Sequence, residues 1–181
     1  MMDSADLPST VPAMLARTVA EHGKNDAIVM NGDSVTYEEL DRRTAKMARA
    51  LLAIGAGKGT RIALMAPDGI LWLTTFLAAL RIGALVPAFS TLATPSELAH
   101  LLRNSDAQIL IGVRRFLRHD YSQTLVAAIP GLADGKAENL RLAGAPYLRS
   151  IWLDDPDGLS WARSIDDLTR KLSALRPMLR A

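Results

Sequence analysis

The sequence predicts an α/β fold: an open, mostly parallel sheet with helices on both faces. Three short apolar runs carry that prediction, Arg61–Ala66 (RIALMA), Ala84–Phe89 (ALVPAF) and Ala107–Val113 (AQILIGV). Helical patterns separate them over Gly69–Ile82 and Pro95–Asn104. Strands buried on both faces read as unbroken apolar runs, and parallel neighbours need a crossover helix between them. The stretch 61–113 is therefore a βαβαβ core. Right-handed crossovers are expected, and ligands are expected outside the carboxyl ends of the strands.

The elements before this core follow from local signals. Met1–Ser9 is expected to be a frayed start. Thr10–Glu21 places Val11, Met14, Leu15 and Val19 at helical spacing, with Pro12 in the first turn, where its missing N–H costs nothing. Asp26–Met30 is a short strand, Asn31-Gly32-Asp33 a hairpin turn, and Val35-Thr36 the returning arm. Tyr37–Ile54 carries Leu40, Met47, Leu51 and Ile54 on one stripe of a helix. Thr36 and Glu39 form an expected capping box, and Gly55 an expected left-handed stop. The glycines of Gly55–Thr60 (GAGKGT) suggest a phosphate loop, but they end a helix and enter a strand. A phosphate loop does the reverse, so a helix stop and tight turn is the reading adopted.

Within the core, Asp68 is the expected N-cap of the first crossover helix, which is apolar nearly all round and so belongs in the interior. Pro87 removes a ladder donor from the second strand and marks it as an edge or a bulge. Phe89–Ala93 is a loop at that strand's carboxyl end, followed by a strong helix start in Thr94-Pro95-Ser96-Glu97. Beyond the core, Arg114–His119 (RRFLRH) is the one local basic cluster. It reads as a solvated turn and helix start, or as an anion contact beyond a strand end. Tyr121–Ile129 is helical, Pro130–Pro146 loop, Tyr147–Leu153 strand and Asp154–Gly158 turn. Ser164 caps a last helix running to about Leu175.

Composition narrows the chemistry. With 49% hydrophobic residues in 181, there is ample material for a core. A formal net charge of +2 with no concentrated basic stripe does not suggest nucleic-acid binding. The absence of cysteine excludes disulfides, thiol nucleophiles and cysteine zinc sites. The first residues lack a signal-peptide pattern, and Gly69–Leu80 is too short to cross a bilayer, so a cytoplasmic protein is expected. His22, His100 and His119 are scattered, no metal-ligand pair is spaced for a helix, and no nucleophile elbow occurs. Asp154, Asp155 and Asp157 do not have EF-hand spacing and read as a solvated turn.

Four phrases in order say more. Val35–Leu40 (VTYEEL), followed by a long helix and Gly59–Leu64 (GTRIAL), resembles the first core motif of the adenylate-forming enzymes: acyl-CoA synthetases, luciferases and nonribosomal-peptide adenylation domains. Leu80–Pro87 (LRIGALVP) resembles their second motif. Glu97-Leu98 through Leu101-Leu102 to Ser105 and Ala107, and then Tyr147–Leu153 (YLRSIWL), are also similar to that family. The resemblance runs from about Asp26 to Leu168.

The resemblance implies activation of a carboxylic acid with ATP and magnesium to give an acyl-adenylate, then transfer of the acyl group to coenzyme A. Fatty acids are the default substrate, with aryl or sterol-derived acids as alternatives. It also implies that parts are missing. The family's Ser/Thr/Gly-rich phosphate loop ending Pro-Lys-Gly, the later Tyr-Gly-x-Thr-Glu phrase, the ribose-binding Asp, the hinge and the catalytic Lys of the small carboxy-terminal domain do not occur. Residues 1–181 therefore look like a partial amino-terminal domain: a leading helix in 1–25, an α/β core in 26–113, and outer helices and a strand in 114–181. The carboxy-terminal domain is expected to be absent from it. No catalytic or metal-binding residue is expected within residues 1–181, and no tight binding of ATP, Mg2+ or coenzyme A by them.

By position in the family, Phe89, Ser90 and Thr91, with Arg114, Arg115 or Arg118, are the candidate contacts to the coenzyme A nucleotide. A guanidinium pairs well with phosphate. The departure is that relatives often carry Gly where Ser90 and Thr91 stand here. Two other readings remain: a stand-alone interaction or regulatory module that kept the scaffold without the site, and a small unrelated nucleotide-binding enzyme. The latter needs a glycine-rich strand-to-helix corner that Pro67-Asp68-Gly69 does not provide. A domain cut short is also expected to self-associate through exposed sheet edge or apolar surface.

Overall fold

The computed structural model describes residues 8–30 and 32–175. Most of the expected frayed start and Asn31 of the first turn lie outside them. Helix α1 (Val11–His22) opens with Thr10, whose Oγ1 accepts the Ala13 N–H at 3.3 Å. Strands β1 (Asp26–Met30) and β2 (Asp33–Thr36) form an antiparallel hairpin. Helix α2 (Tyr37–Ala53) begins at Thr36, which accepts the Glu39 N–H. The reciprocal half of the expected capping box does not form. Arg42 and Arg43, one turn on, take the Glu39 carboxylate at 2.7 and 2.6 Å. Their hydrogen bonds, Arg42's first, hold Glu39 at about 2 instead of the ordinary 4.5. At the other end Gly55 adopts φ +88°, which lets the Gly55 and Ala56 N–H groups reach the Leu52 and Leu51 carbonyls at 3.0 Å. The Gly55–Thr60 loop spends N–H groups on its own surroundings, Gly57 on Thr60 Oγ1 and Gly59 on the Gly83 carbonyl.

Strand β3 (Ile62–Met65) leads into α3 (Ile70–Arg81). Asp68 is not its cap. Gly69 takes that place without a side-chain hydrogen bond, and Asp68 is exposed. The expected strand over Ala84–Phe89 is an irregular edge joined to β3 by isolated parallel bridges. Leu85 donates to the Thr60 carbonyl and Phe89 to the Leu64 carbonyl. Ile62 and Leu64 in turn donate to the carbonyls of Leu85 and Pro87. The parallel pattern calls for one more rung, from residue 87 to Ile62, and proline has no N–H to make it. Leu85, 54% exposed, faces outward on this edge.

Helix α4 (Pro95–Asn104) has the full reciprocal capping box of Thr94 and Glu97. It runs to β4 (Ile109–Gly112), paired parallel to β3. The helix start expected within Arg114–His119 is instead a small antiparallel hairpin, β5 (Arg115–Phe116) and β6 (His119–Asp120), and α5 (Tyr121–Ala128) begins only after it. Leu117 turns the hairpin at φ +54°. The segment 130–146 has no helix or regular strand, yet Leu132, Leu140 and Leu142 are buried in the core, so it is packed loop. Strand β7 (Ser150–Leu153) joins β4 in parallel, and the two-residue β8 (Arg163–Ser164), which the sequence pattern did not signal, pairs parallel beyond it. Ser164 Oγ accepts the Asp166 N–H at the start of α6 (Ile165–Leu175).

The sheet order is β3-β4-β7-β8, with the 84–89 edge outside β3. Every residue of β3 and β4 is buried, so both faces are covered. Helix α2 packs on α3 and α6, while α4 packs on α5. A smaller core of Leu15, Val35, Leu40 and Leu77 fastens α1 and the first hairpin to α2 and α3.

One contact in the sheet is tighter than any side chain allows. A Cβ on Gly112 would stand 2.4 Å from the Met65 carbonyl oxygen, which is backbone and cannot step aside. Gly112→Ala is expected to cost about 2–3 kcal/mol, read as a fall of roughly 4–12 °C in Tm. Gly57→Ala, where a Cβ meets open space, is the matched control and should leave Tm unchanged or slightly raised. Equal Tm values for the two variants would contradict the packing.

Candidate functional site

The parallel strands all end on one side, and the chain ends they present are Ala66, Phe89, Val113 and Leu153. Just past them lie the loop 90–93, the basic hairpin 115–120 and the acidic turn 154–158. These are the segments positioned to meet a ligand.

The predicted residues divide by placement. Phe89 is 5% exposed, with its side chain in the main core and its N–H spent on Leu64. Ser90 is exposed and Thr91 partly so. Ser90 Oγ accepts the Leu92 N–H at 3.0 Å, which curls the loop and leaves Leu92 76% exposed. On the hairpin, Arg114 is drawn inward. Its backbone N–H donates to Asp154 Oδ1 at 2.7 Å, and its guanidinium donates to the Asp157 carbonyl at 2.7 Å and Asp155 Oδ2 at 3.5 Å. The acidic turn read as solvated is thus a clamp on the end of β4. Arg115 pairs with Asp120 at 3.3 Å. Arg118 is exposed and, among the described residues, has no hydrogen-bond or ion-pair partner. Of Arg114, Arg115 and Arg118 it is the one whose guanidinium carries no such partner.

Tyr121 brings loop and hairpin together. Its hydroxyl donates to the Thr91 carbonyl at 3.0 Å, its N–H to the Arg114 carbonyl at 2.8 Å, and its ring stacks on His119 with centroids 6.2 Å apart. Burial pushes its phenol pKa up, with the bond to Thr91 acting against the shift. Sequence reasoning missed this residue because its partner lies 30 positions away. Asp120 was missed too, although Asp-Tyr-Ser at a helix start is a legible N-cap. It accepts the Ser122 hydroxyl and N–H, which with Arg115 hold its carboxyl below the usual range against the opposing effect of burial.

A cleft of about 610 Å³ opens beside the loop, lined by Ser90, Leu92, Ala93, Ser96, Glu97, His100 and Leu101. Glu97 is held ionised there by the Thr94 N–H and hydroxyl. A second cleft of about 560 Å³ lies past β7, among Trp152, Asp154, Asp155, Asp157 and Arg163. Arg163 donates both of its bonds to the Ala137 carbonyl while lying over the Trp152 ring, and so acts as a strut. Among the described residues no three of His, Cys, Asp or Glu gather to hold a metal ion, and no helix is long and apolar enough to cross a membrane.

Comparison with known proteins agrees with this architecture. Residues 15–157 match the family described as AMP-binding enzyme. The acyl-CoA ligase sidI of Aspergillus fumigatus is 32% identical over 126 residues, covering 68% of this chain and 21% of that protein. The 3-hydroxybenzoate–CoA/4-hydroxybenzoate–CoA ligase of Thauera aromatica is 33% identical over 101 residues, covering 56% and 19%. The first curated relatives are thus matched over only about a fifth to a quarter of their length: 26%, 21% and 20%. In fold, the anthranilate CoA ligase AuaEII in complex with anthranoyl-AMP superposes with a TM-score of 0.68 at 22% identity, covering 94% of this chain and 29% of that one. The coronafacic acid ligase of Pectobacterium brasiliense superposes with a TM-score of 0.71 at 16% identity, covering 89% and 29%.

Asp120 offers a pH test of the hairpin. Its folded pKa is depressed below the ordinary 3.8, so its contribution is present above 3.8 and is lost as pH falls through the folded value. Asp120→Asn should lower Tm near neutrality by roughly 1–4 °C, as expected for a partly exposed ion pair and hydroxyl bond. The gap to the parent should close on acidification below 3.8. A gap that stays constant with pH would show that the carboxylate charge contributes nothing.

Proposed function

The chain belongs to the AMP-binding enzyme family, and from that membership we propose that it is the amino-terminal part of an ATP-dependent acid–coenzyme A ligase. The observation that carries this reading is the family match over residues 15–157, joined to relatives that are coenzyme A ligases by name. The whole enzyme joins a small carboxylic acid to ATP. The acid's carboxylate oxygen attacks the α-phosphorus, pyrophosphate leaves, and the thiol of coenzyme A then displaces AMP from the acyl carbon. A carboxylate is a poor electrophile, and adenylation supplies the leaving group it lacks. A long-chain-fatty-acid–CoA ligase of Escherichia coli is among the relatives beside the hydroxybenzoate enzyme. Fatty acids stay the default substrate and aryl acids the alternative. The enzyme works in the cytoplasm.

In this reading the described residues do not perform the chemistry. They seat coenzyme A. The loop Ser90–Thr91, which follows Phe89, and the hairpin with Arg115 and Arg118 take the nucleotide end. Arg118 is the leading phosphate contact, because Asp120 already engages Arg115. Glu97, ionised on the cleft beside the loop, repels phosphate from that side and leaves the cleft to the uncharged pantetheine arm.

Three measurements test the reading. The natural coding sequence beyond Ala181 should continue into a Ser/Thr/Gly-rich loop ending Pro-Lys-Gly; a stop codon there would turn the reading toward a stand-alone module. The pure 181-residue chain should show no carboxylate-dependent ATP–pyrophosphate exchange, and robust exchange would sink the assignment of the chemistry to later residues. In the full-length enzyme, Arg118→Glu should raise KM for coenzyme A about tenfold, and Arg115→Glu less. An unchanged KM in both removes them from the site.

A further inference from the structure

We infer that Tyr121 is a positioning residue for the coenzyme A site: its phenol sets the spacing between the loop 90–92 and the hairpin that carries Arg118. This rests on the coenzyme A reading above. Tyr121 is 2% exposed, and a phenol that deep needs a hydrogen-bond partner. It finds one neither in its own helix nor in the strand before it, but in the Thr91 carbonyl, 3.0 Å away and 30 residues back. Its other contacts are with the hairpin. The Tyr121 N–H closes on the Arg114 carbonyl at 2.8 Å, and the ring lies against His119 at an interplanar angle of 16°. One side chain therefore touches both halves of the candidate site.

The loop's ends are held by Phe89 in the core and by the Thr94–Glu97 cap of α4, but among the described residues the Tyr121 bond is the one hydrogen bond between the loop and the segment 114–121. The bonds of Ser90 Oγ to Leu92 and of the Ala93 N–H to the Ser90 carbonyl shape it internally, and the exposed Leu92 side chain does not anchor it by packing. Removing the hydroxyl takes that bond away and leaves the spacing between the loop and Arg118 to the loop's end anchors alone. The cost falls on the ligand that bridges the two, not on the adenylation half-reaction.

The test uses the full-length enzyme with Tyr121→Phe, which keeps the ring and its packing, and Arg118→Glu beside it. Tyr121→Phe should raise KM for coenzyme A roughly 3–10-fold, as expected for one lost hydrogen bond. Acid-dependent ATP–pyrophosphate exchange and kcat should stay within about twofold of the parent. With pantetheine, which has the thiol arm but no nucleotide, both variants should match the parent. A parallel fall in exchange and thioester formation would mean that Tyr121 only supports the fold, and would overturn the inference. An unchanged KM in Tyr121→Phe while Arg118→Glu raises it would also overturn the inference but leave the coenzyme A reading intact. An unchanged KM in both would bring down that reading and the inference with it.

Discussion

Two strands without an exposed residue, Ile62–Met65 and Ile109–Gly112, constrain everything else. Because both of their faces are buried, helices must cover each side. Because they run parallel, the chain must cross back between them, and every crossover starts from the same end of the sheet. The pairing is close enough that position 112 admits only glycine beside the Met65 carbonyl. Loops that are far apart in the chain are therefore delivered to one edge.

Above the buried strand ends, charge and hydrogen bonding tie the loops of that edge to one another. Asp154 accepts the Arg114 N–H across neighbouring strand ends, and Arg114 reaches over the acidic turn to Asp155 and Asp157. Asp120 then caps α5 and holds Arg115. Of three arginines close in sequence, one is drawn in, one is paired and one, among the described residues, stands exposed without a partner. The basic cluster thus has a division of labour that charge counting misses.

Much of the fold was legible because its signals are local. Thr94-Pro95-Ser96-Glu97 is a complete capping box, and the structure forms it, since all its partners lie within one turn. Gly55 stops α2 as its backbone freedom requires. Signals failed where a neighbour competed. Thr36 and Glu39 have the same spacing, yet Arg42 and Arg43 sit one turn beyond Glu39 and outbid the backbone for its carboxylate. Pro87 was read as a mark of edge or bulge, and its missing donor does break the ladder into isolated bridges. Strand β8 is two residues long, too short to show any period. The basic run 114–119 is a hairpin whose turn holds Leu117 at φ +54°, a conformation that costs a leucine and that composition does not announce.

By itself the sequence determined the fold class, the order of the main helices and strands, and the family, because apolar period, caps and motif phrases are all written in near neighbours. It also drew attention to the loop after Phe89 and to the arginines after Val113. Tertiary structure alone decided how these relate: that Phe89 turns into the core, that Arg114 is consumed by the Asp154–Asp157 turn, and that Tyr121 ties Thr91 to the hairpin. The physical reason is distance along the chain. A hydrogen bond across 30 or 40 residues depends on where the sheet brings its strand ends, and no local pattern encodes that meeting.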